Sequence, residues 1–320
     1  MYAIGSMKFV KRLVQGLTVL IVGCWLTLTA WAYWPVADEI PAIALASSED
    51  RFAEVDGLKL RYREWGTRRS DESSLLLIHG FGNSLQSFRE LGPLLGETRH
   101  VVAVDMIGYG LSDKPVDFDY HNGPQADFLI RAKSALALEH VVYLGHSLGG
   151  AVALQAAIKD PRTRGLILIN PGIISTGVPK IVQVTLPPLP RVSARLFANR
   201  EFRSRSLKGS YANPERVTEA VIDDVMLASK TVGYMTGTTS LMMQYREGEE
   251  LALAPQIDVP TLIPWGAKDR NKPPDEADRL QSLIAGSKLI RFANAGHYAH
   301  EEAAKEVAGA ITLWLQALDL

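Results

Sequence analysis

The chain has 320 residues, 47% of them hydrophobic and 22% charged, with a formal net charge of -1. These are globular proportions, which exclude intrinsic disorder and a fibrous repeat, and the length permits one or two domains with a core that needs no staples. The single cysteine, Cys24, excludes an internal disulfide framework and a cysteine-built zinc site, and a body carrying -4 once the +3 of residues 1–34 is set apart argues against a nucleic-acid partner.

That +3 comes from Lys8, Lys11 and Arg12, which precede a stretch without charge from Leu13 to Trp34. Roughly 20 such residues suffice to cross a bilayer as a helix. The basic flank predicts a cytoplasmic N-terminus, and Trp31, Tyr33 and Trp34 suit the far headgroup layer. An uncleaved membrane anchor through residues 13–34 is the preferred reading. A cleaved signal peptide with its site at Ala30-Trp31-Ala32 and a lipoprotein signal at Ile21-Val22-Gly23-Cys24 stay open. All three place the body on the exported side, periplasmic or extracellular.

Residues 35–50 read as a linker, Pro- and Ala-rich with a few acids. Alternating runs at 51–55 and 58–65 flank Asp56-Gly57 and predict a β-hairpin. Short, continuously apolar runs then recur at 74–80, 100–105, 140–147, 165–172, 261–266 and 288–296. Strands buried on both faces of a parallel sheet look like this. Helical patterns lie between them at 84–95, 125–138, 148–159, 275–285 and 301–318. The alternation predicts an α/β fold with helices on both faces of a mostly parallel sheet. The expected division is a core over 51–172 and 259–320, with 173–258 as a helical cap containing the Pro-rich run 184–191.

Gly145-His146-Ser147-Leu148-Gly149 reads G-x-S-x-G between an apolar run and a helical one, the context that this motif requires. A serine on a sharp strand-to-helix turn projects its hydroxyl, with unpaired N–H groups of the helix start behind it. It needs a base and the base an orienting acid, which His297 and Asp269, each after a late strand, would supply in the order Ser, Asp, His. His79-Gly80-Phe81-Gly82 closes an early strand, so Phe81 and Leu148 are the expected backbone oxyanion donors. Gly145, Gly149 and Gly80 would relieve the turns, and His79 would hold its turn by hydrogen bonds. Asp105 reads as a loop-organising carboxylate. The spacing of His297, His300 and Glu301 is not that of a metal motif, and no phosphate loop is present.

HGFG, DxxGxGxS, GHSLGG, WGxxD and NAGH, over residues 50–318, resemble the α/β-hydrolase superfamily in the family's order. The resemblance implies an eight-stranded sheet, a cap between strands six and seven, and chemistry without a cofactor or metal. Ser147 at the elbow differs from the Asp of haloalkane dehalogenase-like and epoxide hydrolase-like members. HGFG differs from the HGGG of hormone-sensitive lipases, and GHSLG from the GGSWG of prolyl aminopeptidase relatives. An esterase or lipase acting on an apolar ester through an acyl-enzyme on Ser147 is the preferred reading. A carbon–carbon bond hydrolase of aromatic degradation and a non-catalytic ligand-binding fold remain alternatives. Leu186, Leu189, Leu196, Phe197, Met226, Leu227, Met235 and Leu241–Met243 would line the cap or pack it onto the core. Arg191, Arg195, Arg200, Arg203 and Arg205 read as a solvated helix face, with anionic lipid as the other possibility.

Overall fold

A computed structural model describes residues 2–36, 39–69, 72–176, 184–246 and 248–320. Eight strands form one sheet: β1 (Arg51–Val55), β2 (Leu58–Trp65), β3 (Ser74–Ile78), β4 (Val101–Val104), β5 (Val141–His146), β6 (Thr163–Ile169), β7 (Thr261–Gly266) and β8 (Lys288–Phe292). Their order is β1-β2-β4-β3-β5-β6-β7-β8. β1 and β2 form the expected hairpin, with Asp56 and Gly57 at φ 52° and 78° as a tight two-residue turn demands. β2 meets β4 antiparallel, and every pairing from β4 to β8 is parallel. The strands at the centre are buried along their whole length, whereas β1 and β8 at the edges are only partly so. Continuous apolar runs therefore marked the interior of the sheet.

The longer helices are α1 (Tyr2–Tyr33), α2 (Asn122–Ala135), α3 (Leu148–Lys159), α4 (Leu189–Phe197), α5 (Arg200–Ser210), α6 (Glu219–Met226), α7 (Tyr234–Gln244), α8 (Glu276–Leu283) and α9 (Ala304–Ala317). Two apolar layers cover the sheet. Residues of α2, α3 and α8 (Phe128, Leu129, Val152, Leu280) pack on one face, and Phe88, Leu91, Val307, Ile311 and Trp314 pack on the other. The α/β-hydrolase fold predicted from the motifs is the one observed.

The predicted helix over 84–95 is instead a 3₁₀ turn (Leu85–Phe88) followed by a short helix (Leu91–Gly96). The restart puts Pro93 in a first turn, where its missing N–H leaves no bond unmade. The last helical pattern also divides, at Ala303 (φ -130°), into Ala299–Glu302 and α9.

Between β6 and β7 the chain forms the cap, which contains α4 to α7. Its own small core gathers Leu207, Tyr211, Val221, Ile222 and Met226 with Tyr298 of the sheet domain. The segment after α1 lies against this cap: Ile40 N donates to Lys230 O (2.8 Å), and Val232 N donates to Ile40 O (3.1 Å). α1 contains an apolar stretch, Phe9–Tyr33, of mean hydropathy 1.8, exposed along most of its length and long enough to cross a membrane.

Candidate active site

β3 leads to β4 on one side and the chain then returns to β5 on the other, so the order of winding reverses between β3 and β5. A crevice opens at such a reversal, beyond the carboxyl ends of the strands. Ser147 follows β5 there, with φ 51° and ψ -119°. A left-handed backbone at a residue with a Cβ is strained by about 1–3 kcal/mol. Hydrogen bonds hold the turn: Ser147 N donates to Ile169 O (3.1 Å), while Gly172 N and Gly150 N donate to Ser147 O (2.7 and 2.9 Å). Two glycines make room for it. A Cβ on Gly145 would stand 2.1 Å from Gly149 O, and one on Gly149 2.1 Å from Ile78 O.

His297 arrives on the loop after β8 and Asp269 on the loop after β7. His297 Nδ1 lies 2.7 Å from Asp269 Oδ2. Asp269 is also held by Asn170 Nδ2 (2.8 Å) and by Asn271 N (2.7 Å). Burial pushes its carboxyl up, but His297 and these donors outweigh burial and leave it below the ordinary value. With Asp269 ionised, Nδ1 carries the proton and Nε2 has its lone pair free. His297 N donates to Ser210 O (3.0 Å) of the cap, which fixes the loop from above.

Gly80 lets the turn after β3 approach the elbow, since a Cβ there would stand 3.1 Å from Ser147 Cβ. Among the described residues, the N–H groups of Phe81 and Leu148 donate to no backbone acceptor. His79 Nε2 accepts from Met106 N (3.1 Å), so its Nδ1–H donates to Gly80 O (2.8 Å). Asp105 accepts from Leu85 N and Leu111 N (both 2.7 Å) and pairs with buried Arg61 at 3.0 Å, as a carboxylate organising loops would.

Ser147, His297, Gly80, Phe81, Phe197 and Arg203 line one cavity of about 430 Å³. A second, of about 460 Å³, lies beside Leu148, Tyr245 and Glu250. The Phe81 and Tyr245 rings meet at 4.6 Å, and each ring lines one of the two cavities. Although slightly smaller, the first cavity is the one that both Ser147 and His297 line. Of the apolar cap residues expected to matter, Phe197 reaches the serine's cavity, Met226, Met235 and Met242 are buried, and Leu186 and Met243 face outward.

Sequence reasoning missed two supports. Asn170, at φ 40°, joins Asp269 to Gly266 N (2.9 Å), and its only sequence signal was an Asn directly after an apolar run. His146, the residue before the serine, bonds through Nε2 to His297 O at 3.0 Å. The arginine run is not one solvated face. Arg191 and Arg195 bind the end of α1, Arg200 and Arg205 pair on the surface, and Arg203 is buried. Among the described residues, no group of three or more His, Cys, Asp or Glu side chains could hold a metal.

Residues 73–304 match the family model described as alpha/beta hydrolase fold. Lipase 1 of Psychrobacter immobilis is 27% identical over 287 residues, which is 84% of this chain and 82% of the lipase. The 2-hydroxymuconate semialdehyde hydrolase of Pseudomonas sp. (strain CF600) is 27% identical over 257 residues, 77% of this chain and 87% of that enzyme. Among solved structures, a bacterial membrane phospholipase A superposes with a TM-score of 0.68 at 22% identity, covering 96% of this chain and 99% of its own.

Proposed function

The chain belongs to the α/β hydrolase fold family and is a hydrolase, and on that premise we propose that it cleaves carboxylic esters through an acyl-enzyme on Ser147. The observation that carries this reading is the 2.7 Å contact between His297 Nδ1 and Asp269, in a chain whose strained Ser147 lines the same cavity as His297. Asp269 holds the imidazole in the tautomer that leaves Nε2 free. As Ser147 Oγ attacks the carbonyl, Nε2 takes its proton and later returns it to the leaving alcohol; water then cleaves the acyl-enzyme by the same route. The Phe81 and Leu148 N–H groups receive the oxyanion, each worth about 2.7–4 kcal/mol to the transition state. The aromatic wall of Phe81 and Phe197 suits an apolar portion of the substrate. The likeness in sequence to Lipase 1 supports an ester.

In the same reading α1 anchors the protein in a membrane, with the hydrolase domain on the exported side. Carbonate extraction tests this: the protein stays in the pellet, and release to the supernatant would contradict an anchor.

Ser147→Ala is expected to lower turnover of a short p-nitrophenyl ester by a factor of about 10⁴ or more and to abolish labelling by a fluorophosphonate, with unfolding unchanged. Labelling that survives the substitution removes Ser147 from the mechanism. A wild-type protein that neither labels nor hydrolyses favours the non-catalytic fold.

A further inference from the structure

The three arginines of α5 have different surroundings. Arg200 pairs with Glu219 and Asp223, and Arg205 with Glu201, all at the surface. Arg203 turns inward. It is 4% exposed, lines the cavity of Ser147 and, among the described residues, has no carboxylate within salt-bridge distance. Its Nη2 donates to Gly82 O (2.6 Å), and its guanidinium lies 4.9 Å over the Phe197 ring. Two phenols, Tyr298 and Tyr234, are its other charge-sensitive neighbours, and burial lowers its pKa.

A buried guanidinium without a counter-ion costs several kcal/mol. One carbonyl and one ring face offset part of that, but a carbonyl engages a single N–H of the five that the fork presents. The cavity wall adds positive charge rather than cancelling it. Arg270 also borders the cavity, as does Arg205, which is already paired with Glu201, and the described lining contains no Asp or Glu. Asp269 lies behind His297, which it binds. Gly82 is two residues beyond Gly80, the glycine that abuts Ser147, so the guanidinium stands directly beyond the oxyanion turn.

We infer that Arg203 forms an anion subsite in the active-site cavity, and that the substrate is an acyl compound carrying a carboxylate or a phosphate ester beside the bond that is cleaved. The inference rests on the assignment of Ser147 as the nucleophile. The substrate anion is the counter-ion that Arg203 lacks, while Phe81 and Phe197 take an apolar portion. A planar fork with free donors fits both oxyanions, and arginine holds them more firmly than a neutral donor.

Two matched substrate pairs distinguish the sources of the anion: a p-nitrophenyl hemiester of a dicarboxylic acid against its methyl ester, and a 1-acylglycerol 3-phosphate against the same 1-acylglycerol. Wild type favours the anionic member of at least one pair, and the pair that responds identifies the group. Arg203→Gln keeps a donor for Gly82 O but not the charge, and is expected to reduce the anionic-to-neutral ratio of kcat/KM by about 10- to 100-fold, chiefly through KM. Arg203→Lys restores part of the ratio. No preference in wild type, or an equal loss on both members of each pair, overturns the subsite and leaves Arg203 as a clamp on Gly82. Binding is followed separately by calorimetry on Ser147→Ala with dodecyl phosphate, dodecanoate and dodecanol. Tighter binding of an anion than of the alcohol, lost in Ser147→Ala/Arg203→Gln, supports the subsite; equal binding of all three overturns it. Anion binding without ester hydrolysis overturns the esterase reading alone.

Discussion

Ser147 is held where a side chain is least comfortable, and its neighbours show why the strain persists. Ile169 O, Gly150 N and Gly172 N fix its backbone from three sides, so the turn cannot relax without breaking the sheet end. Ser147→Gly removes the Cβ from a positive φ and is expected to be about 1 kcal/mol more stable than Ser147→Ala. Urea unfolding of the two variants measures the difference, and a glycine variant no more stable than the alanine one would show that the turn is unstrained. Asn170 is the other residue whose conformation and contacts are inseparable. Its left-handed backbone, which asparagine tolerates, aims the amide at Asp269 on one side and at Gly266 N on the other. Asn170→Ala is expected to lose about 1–3 kcal/mol, because a buried N–H is left without an acceptor. It is also expected to lower kcat more than KM, since Asp269 loses a donor. Equal stability and unchanged ester kinetics would remove Asn170 from the site.

At the scale of elements, the cap is a joint between α1 and the sheet domain. Arg191 Nε and Arg195 Nε donate to Ala32 O at 3.4 and 3.3 Å, and Arg195 also donates to Trp34 O. Their guanidinium groups lie 5.4 Å over Tyr33 and Trp31. Cations at the last carbonyls of a helix favour its dipole. At the other end of the cap, Arg216 Nη1 donates to Glu301 O (2.7 Å), Tyr211 Oη to Glu301 Oε2 (2.7 Å) and Asn213 N to Glu302 Oε1 (2.8 Å). These contacts fall on the segment that carries His297. Replacing Arg191 and Arg195 by Ala is expected to speed proteolysis within residues 35–48 several-fold while leaving the midpoint of global unfolding within about 1 kcal/mol. Unaltered cleavage would mean that the arginines do not hold the joint. The segment read as a linker thus lies against the cap, because backbone groups of Ile40 and Lys230 pair in space although they are distant in sequence.

For the molecule as a whole, buried histidines contribute to the response to acid. His79, His146 and His300 all have lowered pKa values, chiefly through burial, and His300 falls to about 3. His297 and Arg89 oppose a further charge on His300, and His300 and His297 oppose one on His146. These side chains stay neutral when folded, but in the unfolded chain they take up protons below about pH 6.5. The unfolded state therefore binds more protons below that pH, for His300 down to about 3. Stability is fully present above about pH 6.5 and is lost as pH falls towards the folded value, by up to about 1.4 kcal/mol per pH unit for each group. Denaturant titrations at pH 7 and pH 5 should show this loss, and His300→Gln should reduce its slope. An unchanged slope in the variant would mean that His300 is protonated in the folded protein.

The sheet was legible in the amino-acid pattern alone, because strands buried on both faces must be apolar without interruption and the turns between them need glycine at fixed places. It also made Ser147 the candidate nucleophile and, through their strand-end positions, Asp269 and His297 the groups expected to assist it, because such candidates are read from local backbone geometry. Helix breaks at Ala303 and before Leu91 were not legible, since periodicity continues across them. Which way each arginine of α4 and α5 turns became visible only in the folded chain. Five cations within fifteen residues read as one solvated face, yet Arg191 and Arg195 meet the carbonyls of α1, Arg200 and Arg205 find carboxylates, and Arg203 enters the cavity. Residues three positions apart share a helix side, but what that side faces depends on how the cap is packed, and contacts distant in sequence determine that packing.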